Sequence, residues 1–228
     1  MKRYYALIIL TVIAQGSAFG QLEEGFRRWR AGVMTGPHLT IQVPEIPGVD
    51  QTVGIMTAAD VGYALQNSHK GWSLHFQPGV NRWKTNQVNG EQGSDYYLEW
   101  KWKSATINLP LLVRYTILQG RVRPFAEMGA SYLVRNYWKV KGSGQTCQNE
   151  TCYPNEFDDK GNSSLEKGRF SALAGVGVEF GLGKITIPVT VRWNEQLKKI
   201  ERFDDAFTGM QYTIPRSRTI QVAIGVTF

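Results

Sequence analysis

The residues that could do chemistry in this chain sit on one phase of an alternating pattern. Asp60, His38, His75, Arg114, Glu127, Arg135, Glu179 and Arg192 each occupy the polar phase of a segment whose other phase is apolar. Charges that share a narrow interior must be paired and hydrogen-bonded to be tolerated there. Asp60, Arg114, Glu127, Arg135, Glu179 and Arg192 are therefore predicted to form a plug of ion pairs. The functional counterpart of the same cluster is a polar site or a gated water path. Hydrolysis would need a nucleophile, a base and a carboxylate that orients the base. Ser73, His75 and His38 are the candidates, but Ser73 and His75 stand two apart on one face of one segment, and no G-x-S-x-G elbow occurs. No catalytic residue is assigned, and the chain is expected not to be an enzyme.

The remaining motifs are weaker. Cys147 and Cys152 are the two cysteines of the chain. In an exported protein such a close pair is expected to form a small disulfide that stiffens a loop, with free thiols as the alternative. No histidine lies near them, so no metal site is assigned. Asp158, Asp159, Asn162 and Glu166 offer oxygen ligands suited to calcium, yet their spacing misses the EF-hand template, and a solvated loop is expected. Gly175–Gly177 lies inside a strand pattern with Phe180 behind it and no Walker lysine, so it is no nucleotide loop. No cofactor is implied. His69 reads as a solvated turn residue, and the sequon at Asn149 is given no role.

The elements that must position these groups are strands. Ile185, Ile187, Val189, Val191 and Trp193 alternate with Thr186, Pro188, Thr190, Arg192 and Asn194. Ile220 to Phe228 repeats the pattern, and successive strand residues point to opposite faces. Similar alternation runs through 29–42, 57–66, 72–81 and 170–181. Two segments are less regular. In 97–117, Trp100 and Trp102 are read on the outward face with Ile107, Leu109 and Leu111 after them; this change of parity predicts a β-bulge near 104–106. In 122–138, the even positions Ala126, Met128, Ala130, Tyr132 and Val134 face one way and Glu127, Gly129, Ser131 and Arg135 the other. The result is eight strands, joined alternately by long connections (42–56, 84–96, 139–168, 199–217) and short ones (67–71, 118–121, 182–184).

That order matches a transmembrane barrel with long extracellular loops and short periplasmic turns. Glycine is abundant on the polar face, as a narrow packed barrel interior requires. Trp29, Trp72, Trp100, Trp102, Tyr115, Tyr132, Trp193 and Phe228 lie near strand ends on the apolar face, where aromatic girdles meet the membrane interfaces. A soluble lipocalin-like carrier, with its apolar face turned inward, is the alternative.

The first residues complete the picture. Lys2 and Arg3 precede a short apolar run at 6–14 and small residues at Gly16, Ser17, Ala18 and Gly20. This is the layout of a secretory signal peptide. Cleavage is expected after Gly20, or else after Ala18, leaving a barrel domain over 21–228. Of the 26 Lys and Arg, Lys2 and Arg3 leave with the signal, so 24 face 19 Asp and Glu. The surplus is scattered, which argues against nucleic-acid binding and suits anionic lipid headgroups.

With these segments in view, the sequence resembles the outer-membrane β-barrel family of Bacteroidetes, often labelled porin-like or PorT-like. The resemblance rests on RAGVMTGPHLTI, ATINLPLLVRYTI, RPFAEMGASYLV, ALAGVGVEFGLG, VTVRWNEQL and the final TIQVAIGVTF. It implies an eight-stranded antiparallel up-and-down barrel in the bacterial outer membrane, with outer-membrane lipid as its surroundings. The expected role is non-enzymatic, through extracellular loops that engage an extracellular or envelope partner, or in envelope structure and assembly. A narrow channel for small solutes and a lipid-modifying enzyme are the other readings.

Overall fold

The computed structural model describes residues 26–43, 52–90, 96–148, 151–163, 169–197, 202–204, 211–213 and 216–228. The expected signal segment and much of the expected loops at 42–56 and 199–217 lie outside them. The described chain forms β1 (Trp29–Val43), β2 (Thr52–Ala64), β3 (Gly71–Phe76), β4 (Gly79–Asn89), β5 (Tyr96–Thr116), β6 (Val122–Gln148), β7 (Thr151–Ser163), β8 (Arg169–Leu182), β9 (Ile185–Gln196), β10 (Arg202–Asp204), β11 (Gln211–Thr213) and β12 (Arg216–Thr227).

The antiparallel pairings close on themselves. β1 pairs with β2, β3 and β4 both lie between β2 and β5, and the sheet continues through β6, β8, β9 and β12 back to β1. The ring holds eight strand positions. β3 and β4 share one position because Pro78 carries no amide proton for the ladder. Neighbouring backbone groups bridge the break, with Gln77 N–H donating to Pro110 O at 3.0 Å and Ala59 N–H to Pro78 O at 2.9 Å. At the Leu182–Ile185 hairpin the chain reverses through Gly183, whose φ of 69° is open to glycine at no steric cost.

Burial runs opposite to that of a water-soluble domain. Trp29, Val33, Met128, Val176 and Ile224 are exposed, whereas Arg114 is the largest fully buried side chain. On β5 the outward face climbs from Ile117 through Tyr115, Val113, Leu111 and Leu109 to Ile107. That run spans about 25 Å once a strand tilt of about 40° is allowed, the height of a lipid-facing apolar band. The outward run of β5 itself carries no Asp, Glu, Lys or Arg, and on β6 the exposed Arg135 stands opposite its upper end at Ile107. Trp29 packs on Tyr63, Trp72 on Tyr115 and Tyr132 on Phe170, with ring centroids 4.8–5.0 Å apart.

Three sequence expectations are corrected here. The parity of β5 does not change: its even positions face inward throughout, so Trp100 and Trp102 lie on the inward phase with Ser104, and Trp102 stacks on Trp138 at 5.6 Å. The bulge is in β6 instead. Asn108 pairs with Leu133 and Ile107 with Arg135, leaving Val134 as the extra residue. Finally, 139–168 is not a loop for most of its length. β6 runs for 27 residues, about 90 Å of strand, and beyond the ring it pairs with β7 in an antiparallel ribbon from Asn136–Ser163 to Gln148–Thr151.

Candidate functional site: the interior network and the ribbon

The interior is organised around two glutamates. Glu127 on β6 accepts from Arg114 Nε at 3.1 Å and Nη2 at 2.9 Å, from Thr190 Oγ1 at 3.1 Å, and from Arg192 Nε. Register explains the convergence: Arg114 is opposite Glu127, Glu127 opposite Gly175, and Gly175 opposite Arg192. The absent side chain at Gly175 opens the path between Glu127 and Arg192, since a Cβ there would meet both. Glu179 on β8 accepts from Arg114 Nη1 at 2.7 Å and from Arg30 Nη1 at 3.0 Å, and Arg123 Nε lies 3.4 Å away. Arg30 reaches it from β1, across the lumen. Arg114 also lies over the Phe125 ring at 4.0 Å.

A second chain of contacts lies on the β2–β3 wall. With His75 Nδ1–H donating to Asp60 Oδ1 at 2.9 Å, Nε2 is free to accept from Ser73 Oγ at 3.1 Å. Gln77 Nε2 donates to the same Asp60 oxygen at 2.9 Å. The His75 ring lies across Gly62, where a Cβ would strike it. This is the order nucleophile, base and orienting carboxylate. Yet Ser73, His75 and Asp60 are 3%, 1% and 2% exposed, so a substrate carbonyl cannot reach Ser73 Oγ unless the wall opens. His38 takes no part and is buried beside Gly54.

Asp60, Arg114, Glu127, Glu179 and Arg192 thus all face the lumen. Arg135 does not, and its expected place in the network is corrected. The extra residue Val134 flips the parity above it, so Arg135 is exposed and lies over the Tyr137 ring at 4.7 Å. Arg30 and Arg123 are the members that sequence reasoning left out; both occupy inward phases of their strands, and that parity was the signal available. The lumen keeps a void of about 20 Å³ near Met56, Gln77, Asn108 and Gln221, room for a single water.

The ribbon is built differently. Cys147 and Cys152 are directly opposed and joined by a disulfide near its tip. Phe157 covers Gly142, and Trp138 covers Gly161, aromatic rings replacing the packing that a strand glycine lacks. On the other face Asp158 accepts from Lys141 at 2.7 Å and Lys139 at 3.1 Å. Those hydrogen bonds, Lys141 foremost, hold its carboxyl below the ordinary aspartate value. Asp158 and Asp159 point to opposite faces and do not converge on a cation. Glu166 lies outside the described residues, among which no group of three metal-ligating side chains forms.

Residues 14–198 match the outer membrane protein β-barrel domain. The chain belongs to that family. No curated protein matches it in sequence. Similar solved structures include Neisserial surface protein A, 13% identical over 90% of this chain and 98% of that one, with a TM-score of 0.42. The attachment invasion locus protein Ail of Yersinia pestis is 9% identical over 89% and 100%, with a TM-score of 0.44. The outer membrane protease OmpT of Escherichia coli is 9% identical over 91% and 98%, with a TM-score of 0.40.

The last of these corrects the expectation that the chain is not an enzyme. A protease stands among the barrels similar to it, so membership of the barrel class does not exclude catalysis. At this identity no proteolysis is carried over to the present chain.

Proposed function

We propose that this protein spans the bacterial outer membrane as an eight-stranded up-and-down barrel with a side-chain-filled lumen, and acts through the extracellular face that carries the disulfide-tipped ribbon. Its role is to engage an extracellular or envelope partner, or to serve envelope structure and assembly. The observation that carries this reading is the pairing of an apolar outward band, uncharged on β5 from Ile107 to Ile117, with an interior closed by Arg114, Glu127, Glu179 and Arg192. Export through a signal peptide cleaved after Gly20 supplies the route. Placement in the PorT-like group of Bacteroidetes rests on the strand motifs alone.

Migration of outer-membrane fractions on an SDS gel, unboiled against boiled, tests the barrel. A heat-dependent shift is expected, whereas a soluble periplasmic protein with no shift would favour a lipocalin-like carrier. Planar-bilayer recording then tests the closed lumen. A silent trace is expected, and steady single-channel steps would replace this reading with a narrow channel.

A further inference from the structure

Lys84, Lys103, Lys139 and Lys160 stand directly opposite one another on four consecutive strands: Lys84 pairs with Lys103, Lys103 with Lys139, and Lys139 with Lys160. All four share the outward phase of the sheet. Like charges directly opposed across a strand pair are destabilising, and this row repeats the conflict at three successive pairs with no acid in the row itself. The next row outward supplies one partner, Asp158, which Lys139 shares with Lys141. Lys84, Lys103 and Lys160 are exposed and make no ion pair with any described residue. An arrangement that the protein leaves unneutralised calls for anions from outside it.

Its height says which anions. The row directly beneath it holds Arg82, Ala105 and Tyr137, and below Ala105 the β5 face is uncharged from Ile107 to Ile117. Lys103 stands two residues above Ala105, about 5 Å along the membrane normal for a tilted strand. The polar headgroup layer beyond the hydrocarbon is about 5–7 Å deep. Tyr137 sits at the level where amphipathic rings mark the interface, and the lysine stems can lie along the sheet while their ammonium groups reach the phosphates.

We infer that the lysine row Lys84–Lys103–Lys139–Lys160 is a binding site for phosphate-bearing lipid headgroups in the leaflet at the ribbon end of the barrel. The inference rests on the membrane-spanning reading and names the lipid chemistry that one side of the barrel selects. Neutralisation is local, confined to the β4–β7 side. At the same end of β9 and β12, Glu195 and Arg218 pair with each other at 2.7 Å, neutralising those two outward charges.

The test uses the full chain in nanodiscs of equal parts phosphatidylcholine and phosphatidylglycerol, with retained lipids counted by native mass spectrometry. Phosphatidylglycerol is expected to be retained over phosphatidylcholine. Each basic residue near an anionic surface strengthens attachment about fivefold, so K103Q alone should lower that preference about fivefold. The quadruple variant K84Q/K103Q/K139Q/K160Q should lower it by at least about tenfold, and the matching quadruple arginine variant should restore it. D158N, which frees Lys139 and Lys141, should raise it. A wild type without preference, or an unchanged preference in K103Q and the quadruple glutamine variant, overturns the proposal. Displacement of phosphatidylglycerol by inorganic phosphate at equal concentration would overturn the lipid assignment in favour of a free-anion site. The heat-dependent gel shift is run on the wild type and every variant. Its absence from the wild type sinks the membrane reading itself, while an intact shift without lipid preference sinks the lysine row alone.

Discussion

The lumen and the ribbon use the same chemical groups to opposite ends. Inside the ring, Glu127 and Glu179 each serve several arginines, drawn from the adjacent strand and from strands farther round the ring. On the ribbon, Lys139 and Lys141 share Asp158 in water. Buried pairs are consequential because removing one partner strands the other without solvent; exposed pairs gain little, since water and salt replace them. The difference teaches that burial, more than the number of ion pairs, decides which region holds the ring in shape and which stays free to meet other molecules.

The sharpest way to break that contrast is Glu127→Ala. It leaves Arg114 and Arg192 buried without their shared acceptor and should lower unfolding stability by about 3–5 kcal/mol, read by urea unfolding in lipid or by the temperature of the gel shift. An unchanged stability would show that the interior charges are solvated after all. Next in size, Gly175→Val places a branched side chain between Arg192 and Glu127 and should destabilise by about 1–3 kcal/mol through overpacking, measured the same way. The ribbon should answer differently. Replacing both Cys147 and Cys152 by Ser should speed proteolytic cutting near the tip while the gel shift of the ring stays in place; a ring that loosens as well would mean that the two regions fold as one.

The smallest effect belongs to Asp158, and pH reveals it. Its folded pKa is depressed, so its contribution is fully present above the ordinary aspartate value of about 3.9. That contribution is lost as pH falls through the lower folded value. Ribbon amide exchange by NMR should be flat in this respect from neutrality to about pH 5 and change only in more acidic solution. Asp158→Asn should remove that acid-dependent component, and a component unaffected by the substitution would assign it elsewhere.

The alternation of side chains made most of the ring legible from sequence, because one face of each strand meets an apolar surrounding and a slip of one residue would turn every side chain over. The same rule explains what was misread. A single extra residue, Val134, reverses parity for everything beyond it, and nothing about valine announces a bulge. Trp100 and Trp102 looked lipid-facing because tryptophan is common at membrane interfaces, yet they continue the inward phase of β5. The ribbon was hidden by its polarity: its residues lack the sustained apolar alternation that marks a strand in the wall of the ring. In the site, charge type and parity pointed to Glu127 and Glu179. The role of Arg30 is a matter of reach across the lumen, which spacing along the chain does not encode.

The closure of β1 on β12, where Gly32 meets Thr227 and Phe228 N–H donates to Ala31 O at 2.9 Å, has a consequence for how the protein is made. These strands are the most distant partners in the chain, so neither is satisfied by anything synthesised nearby, and the loop between them must be gathered before they meet. Until then two open edges coexist, each a template for pairing with the wrong chain. Protection of those edges from other copies matters until the two margins join as a seam, the last stitch in a wall otherwise built largely from neighbouring strands.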